Sequence, residues 1–196
     1  MRVFVLGPNA NRLRPIIGKN FIYETSGPLQ LEEFDHFRPE MLLSYGYKHI
    51  ISKYFLSRVD HFALNMHVSL LPWNRGYDPN FWSWIEGTPK GVTLHRITPE
   101  LDKGPIIAQR EVRLDSQNTL RQTYDALQDE MCKLFSAKWS TLLSGNFTED
   151  DQCDGGTYHS QVDRLAHTNI LTNGWDTPCI DLEKYGIESG LNHSTM

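Results

Sequence analysis

Between Arg2 and Leu114 the chain returns again and again to short, nearly all-apolar segments, and this recurrence limits the fold more than any other feature. RVFVL (2–6), NFIYET (20–25), MLLSYGYKHII (41–51), the run from Leu64 to Ser69, GVTLHRI (91–97) and PIIAQREVRL (105–114) each read as a strand. Strands this apolar need cover on both faces, which a parallel sheet with helical connections supplies. The connections fit. Asn11 to Ile17 predicts a short helix with Pro15 in its first turn. Leu29, Leu31, Phe34 and Phe37 recur at roughly helical spacing until Pro39. Phe55 to Arg58 predicts one helical turn, and Asp78 to Glu86 a helix with Phe81, Trp82 and Ile85 at core spacing. The clearest helix is Thr119 to Leu143. There Leu120, Tyr124, Leu127, Met131, Leu134, Phe135 and Leu142 recur at three and four, behind the polar start DSQNTLRQ. The expected class is α/β with a mostly parallel sheet.

Length and composition bound the rest. The 196 residues make one ordinary domain, 1–145, and a small extension, 146–196, whose Gly, Thr, Asn and Asp content suggests a segment lying on the core. No apolar run approaches the roughly 18 residues of a membrane span. The apolar stretch at the N-terminus is too brief for a signal peptide, so the expected compartment is the cytoplasm. A formal net charge of −5 without a basic stripe argues against nucleic acid as a partner; Arg12, Arg14 and Lys19 are the densest basic group. Cys132, Cys153 and Cys179 form no CxxC pair and read as free thiols. The eight histidines contain no pair at helical metal-ligand spacing, so no metal is expected.

One stretch carries chemistry: LNMHVSLLPWNRGYDPNFWSW, residues 64–84. With the period of two of a strand, Leu64, Met66 and Val68 share one face and Asn65, His67 and Ser69 the other. An amide and an imidazole then project from one side about 6.5–7 Å apart along the strand. Each can donate a hydrogen bond to a small oxygen between them. The same spacing also fits a buried histidine bonded to a carbonyl beside a turn-forming asparagine. Ligands of parallel sheets lie beyond the carboxyl ends of the strands, which is where the loop at Pro72 begins. Downstream, LDKGPII (101–107) sets Asp102 in a turn before an apolar strand.

The ordered set NxHxSLLP, GVTLH and LDxGPII resembles the folate-dependent N-formyltransferases, which use 10-formyltetrahydrofolate. The resemblance runs from about Tyr45 to Trp139. It implies a Rossmann-like formyltransferase domain and carries over Asn65, His67 and Asp102 as the catalytic set. In that chemistry a neutral amine attacks the formyl carbon, and Asn65 and His67 donate to the oxyanion that forms. Asp102 accepts or relays the amine's proton and pairs with His67. The resemblance places the folate pocket at Tyr45, Gly46, Tyr47, Lys48, His49 and Ile50, with Leu71 and Pro72. It places the amine substrate along Trp73, Asn74, Arg75, Gly76 and Tyr77, where Arg75 and Asn74 offer donors, Trp73 and Tyr77 offer flat faces, and Gly76 allows close approach.

The departures from the family narrow the amine. Only 64 residues precede Asn65, a shortened N-terminal half. The first turn, Gly7-Pro8-Asn9-Ala10-Asn11, is a poor phosphate nest, which weighs against a glycinamide ribonucleotide substrate. The acidic chain lacks the basic surface of the tRNA-modifying relatives. LLPWNRG, SYGYKHII and GTYH resemble the sugar branch, so the expected substrate is a nucleotide-linked amino-deoxy sugar used in polysaccharide biosynthesis. The alternatives are a glycinamide ribonucleotide-type formyltransferase and a folate-binding protein without transferase activity. The aromatic residues of the extension suit a homodimer interface and packing onto the core equally.

Overall fold

The structure is a computed structural model that describes residues 1–193. Among the described residues, strands β1 (Val3–Leu6), β2 (Phe21–Thr25), β3 (Met41–Ser44), β4 (Phe62–His67), β5 (Arg75–Gly76), β6 (Gly91–Arg96), β7 (Ile106–Glu111) and β8 (Tyr158–His159) are interspersed with seven α-helices. These are α1 (Arg14–Ile17), α2 (Leu31–Phe37), α3 (Lys53–Leu56), α4 (Pro79–Ile85), α5 (Leu120–Ser144), α6 (Gln161–Ala166) and α7 (Cys179–Glu188). Six strands form one sheet in the order β2-β1-β3-β4-β6-β7, and β5 pairs with β8. β1 to β4 run parallel. Arg96 N–H donates to the Pro105 carbonyl and Val112 N–H to that of Lys90, so residue numbers rise along β6 as they fall along β7. β7 is therefore an antiparallel edge strand, and the expected mostly parallel α/β sheet is met.

The chain forms two compact units. One comprises 1–67, 94–108 and 132–151, and the other 68–93, 109–131 and the residues from Gln152 onward. In the first, register explains the core. Phe4 lies beside Leu42, and Leu42 beside Ala63, so these three share a face and pack with Leu6 and Phe34. Val3, Val5, Met41, Leu43 and Leu64 have the other parity and are fully buried. Each such side chain is worth about 1.5–3 kcal/mol on burial. The second unit packs Phe81, Trp82, Trp84 and Ile85 of α4 with Leu120 and with Cys179 and Leu182 of α7. Cys132, Cys153 and Cys179 are in no disulfide, and burial pushes the Cys179 thiol up to about 11.

The helix starts follow their polar caps. Thr119 N–H donates to Gln122 Oε1 at 2.9 Å and Gln122 N–H to Thr119 Oγ1 at 3.2 Å, a reciprocal box that opens α5. Ser160 and Asp163 form the same device at α6.

Two expected strands end early. Residues 41–51 are extended only to Ser44: Tyr45 N–H still bonds the Leu6 carbonyl, and Gly46, at φ 73°, then turns the chain away. β4 ends at His67, and the Ser69 hydroxyl donates instead to the Trp73 carbonyl at 2.7 Å. The polar extension holds helices α6 and α7, which its composition hid. Among the described residues no helix is long and apolar enough to cross a membrane.

Replacing Leu42 with Ala should cost about 2–5 kcal/mol in urea unfolding, because the site lies between two covered faces. A loss below about 1 kcal/mol would mean the strand is not in the core.

Candidate active site

Four polar side chains meet within the first unit. Asn65 and His67 leave the same side of β4, as period two requires. Asn65 lies opposite Ser44, so residues 45–50 leave the sheet at the same end as His67. His95 belongs to β6, and Asp102 to the turn between β6 and β7. His67 and Asp102 are 6% and 8% exposed and His95 is 1% exposed, so few of their charges and donors can be satisfied by water.

The β6–β7 turn aims the acid. Asp102 has φ 52°, a left-handed conformation that aspartate tolerates better than most residues. Gly104 is obligatory in the same turn, because a Cβ there would lie 2.0 Å from the Arg96 carbonyl oxygen. The carboxylate then bridges. Oδ1 accepts from Asn65 Nδ2 at 3.0 Å and lies 3.5 Å from His95 Nε2, while Oδ2 lies 3.7 Å from His67 Nδ1.

The partners assign the protons. His95 Nδ1 is 2.7 Å from the Arg96 carbonyl, an acceptor only, so Nδ1 carries hydrogen and donates. In the neutral ring Nε2 is then the acceptor for Asn65 Nδ2, at 3.2 Å. Asn65 thus spends one N–H on Asp102 and the other on His95. To donate to a ligand oxygen, it must release one of them.

The segment after His67 is built in the second unit. The Thr93 hydroxyl donates to the Ser69 carbonyl at 2.7 Å and accepts Leu71 N–H at 3.2 Å. Gln109 Nε2 donates to the Leu71 carbonyl at 2.6 Å and to Thr93 Oγ1 at 3.1 Å. These bonds frame a cis Leu71–Pro72 peptide, with both residues buried. Trp73 is half-buried and Tyr77 exposed. The Asn74 side chain is buried: its Nδ2 donates to Glu86 at 2.8 Å and its Oδ1 accepts from Thr88 at 2.8 Å. Arg75 Nη2 donates to the Gly155 carbonyl at 3.3 Å, and its Nε has no hydrogen-bond partner. Gly76, with Arg75, forms β5.

The residues expected to hold folate divide by exposure. Tyr45 is buried. The Tyr47 hydroxyl donates to the Gly27 carbonyl at 2.9 Å and accepts Leu29 N–H at 3.1 Å, and burial raises its pKa. Gly46, Lys48, His49 and Ile50 are exposed. His95, Thr93, Gln109 and Glu86 are polar residues at these sites that sequence reasoning did not assign. Thr93 and His95 share a parity on an apolar strand, the same signal that drew attention to Asn65 and His67.

The sequence model of the formyl transferase family matches residues 26–138. A dTDP-4-amino-4,6-dideoxyglucose formyltransferase of Mycobacterium bovis is 34% identical over 101 residues, which cover 52% of this chain and 43% of the relative. Its Mycobacterium tuberculosis counterpart matches equally. The match thus spans less than half the length of these curated relatives. The formyltransferase PseJ from Anoxybacillus kamchatkensis, solved with UDP-4,6-dideoxy-4-formamido-L-AltNAc and tetrahydrofolate, superposes with a TM-score of 0.86. It is 37% identical, and the superposition covers 94% of this chain and 100% of that one.

A Gly104→Ala variant should lose about 1–3 kcal/mol of stability, because its Cβ forces the turn apart. The histidine side-chain NMR signals of His67 and His95 should shift with it, and unchanged signals would show that the turn does not position Asp102.

Proposed function

The chain belongs to the formyl transferase family, and we propose that it transfers the formyl group of 10-formyltetrahydrofolate to the amine of a nucleotide-linked 4-amino-4,6-dideoxy sugar. The observation that supports this best is the Asp102 carboxylate held against Asn65, His67 and His95 at the end of β4. The relatives matched above support the substrate class, since their names specify 4-amino or 4-formamido dideoxy sugars on dTDP or UDP. The cytoplasm, where both co-substrates are soluble, is the proposed compartment.

The proposed roles follow from donor chemistry. The amine nitrogen forms a bond to the formyl carbon, and the carbonyl oxygen takes the negative charge. Asn65 exchanges one of its two amide contacts for that oxygen, and His67 supplies the second donor. A preorganised donor of this kind is worth about 10²–10³ in rate. The bond from the formyl carbon to the folate nitrogen then breaks. The amine loses one proton and the folate nitrogen gains one, with Asp102 accepting and returning it directly or through a water. Of the residues proposed for the two substrates, 45–50 bind folate, and Trp73, Arg75, Gly76 and Tyr77 bind the amine substrate. Asn74 contributes there by holding the loop, since its amide is occupied by Glu86 and Thr88.

The test is tetrahydrofolate release from 10-formyltetrahydrofolate with dTDP- and UDP-linked 4-amino-4,6-dideoxy sugars, a 3-amino sugar and glycinamide ribonucleotide. Release with a 4-amino sugar is the expected result. Release only with glycinamide ribonucleotide would overturn the sugar reading, and folate binding without release would overturn the transfer. With the active amine, Asn65→Ala and His67→Ala should each lower kcat by about 10²-fold or more while folate affinity stays within about three-fold. A variant with unchanged kcat removes that residue from the chemistry.

A further inference from the structure

Glu86 ends α4, and nothing in the sequence around it suggests a functional role. Its side chain is 7% exposed, and its three hydrogen bonds lead to the 73–77 loop and to the segment that pairs with that loop. Oε2 accepts from Asn74 Nδ2 and from Thr157 Oγ1, both at 2.8 Å. Oε1 lies 2.8 Å from His159 Nε2, which donates to it, and 3.9 Å from His193 Nε2. The His159 ring lies flat on Trp82, with centroids 3.7 Å apart and planes at 9°.

The backbone closes the same arrangement. Asn74 N–H donates to Thr157 Oγ1 at 3.0 Å. Arg75 N–H donates to the Thr157 carbonyl at 2.9 Å, and Tyr77 N–H to the His159 carbonyl at 2.8 Å. Asn74 itself is held at φ 55°, a conformation that costs free energy for a residue with a side chain. The contacts from Glu86 and Thr157 over-determine it. Arg75 therefore has a held residue on each side, and its guanidinium donates to the Gly155 carbonyl of the same segment.

We propose that Glu86 is a positioning residue for the amine substrate. It clamps the 73–77 loop to residues 157–159 and so presents Arg75, controlling affinity for the nucleotide sugar without meeting it. The segment 155–159 becomes part of the substrate-binding apparatus, more than 80 positions beyond the loop it supports. This rests on the reading that Arg75 faces the amine substrate.

The experiment compares Glu86→Ala, Glu86→Gln, Thr157→Val and Arg75→Ala, each with the 4-amino sugar nucleotide that turns over and with 10-formyltetrahydrofolate. Thermal unfolding establishes that each variant is folded. Glu86→Ala and Thr157→Val should raise KM for the amino sugar about ten-fold, with kcat and the folate KM within about two-fold. Glu86→Gln keeps one oxygen for Asn74 and Thr157, so its amino-sugar KM should return to within about three-fold of the parent. If Glu86→Ala does not fold, Thr157→Val carries the comparison. A folded Glu86→Ala or Thr157→Val with unchanged amino-sugar KM overturns the proposal. So does a loss of kcat and of both affinities together, which marks a structural role only. Arg75→Ala separates the two readings. If it raises the amino-sugar KM while the Glu86 and Thr157 variants do not, positioning fails and the loop assignment stands. If Arg75→Ala alone is silent, the assignment of Arg75 fails.

Discussion

The carboxylate of Asp102 has to reach three nitrogens on two separate strands, and the local structure of the first unit serves that requirement. Asn65 and His67 arrive by strand parity on β4, and His95 by parity on β6. Asp102 belongs to no strand, and a turn with positive φ delivers it, with Gly104 pressed against the Arg96 carbonyl. Inside an apolar sheet an unpaired carboxylate would cost several kcal/mol. Here Asn65 donates to it directly, and the two imidazoles lie within 3.7 Å. The polar cluster is tolerated because the Asn65 amide donates to both Asp102 and His95, and the proposed chemistry needs one of those contacts to be exchanged.

The second unit uses the same principle at the ends of α4. At its start the Asp78 carboxylate meets Arg164 Nε at 2.7 Å, and burial still raises its pKa. At its end the Glu86 carboxylate takes three donors. Lys90 lies over the Trp84 ring at 4.3 Å, donates to the Ser83 and Thr88 carbonyls, and is lowered to about 8 by burial. Each charge is placed where backbone groups or loop side chains need a partner, so the irregular backbone around Pro72 to Tyr77 is fixed without strands of any length.

How much of this was legible in the sequence depended on range. Apolar runs set by local sequence revealed β1, β4, β6 and β7, and the period of two picked out Asn65 and His67 on one face. The LDKGP turn revealed Asp102. β3 was read too long because Tyr45, Tyr47, Ile50 and Ile51 keep the apolar pattern going past a backbone reversal that only Gly46 marks. α6 and α7 were missed because their stability comes from a capping box and from packing on α4, while their composition is polar. His95 and Glu86 carry no local signal because Asn65 lies 30 positions from the first and His159 lies 73 from the second. No pattern along one segment encodes such a meeting. Gln109 lies in the predicted strand PIIAQREVRL, yet its task, bonding the Leu71 carbonyl, is visible only in three dimensions.

The most direct test is the single-turnover rate of formyl transfer in an Asp102→Asn variant. The substitution keeps the shape of the side chain and removes its charge and its capacity to take a proton. A rate lower by about 10²-fold or more, with folate affinity and thermal midpoint near the parent's, is the result expected of a residue acting in the transition state. A rate within two-fold of the parent would show that the carboxylate joining Asn65, His67 and His95 is architecture, and would contradict the mechanism built on it.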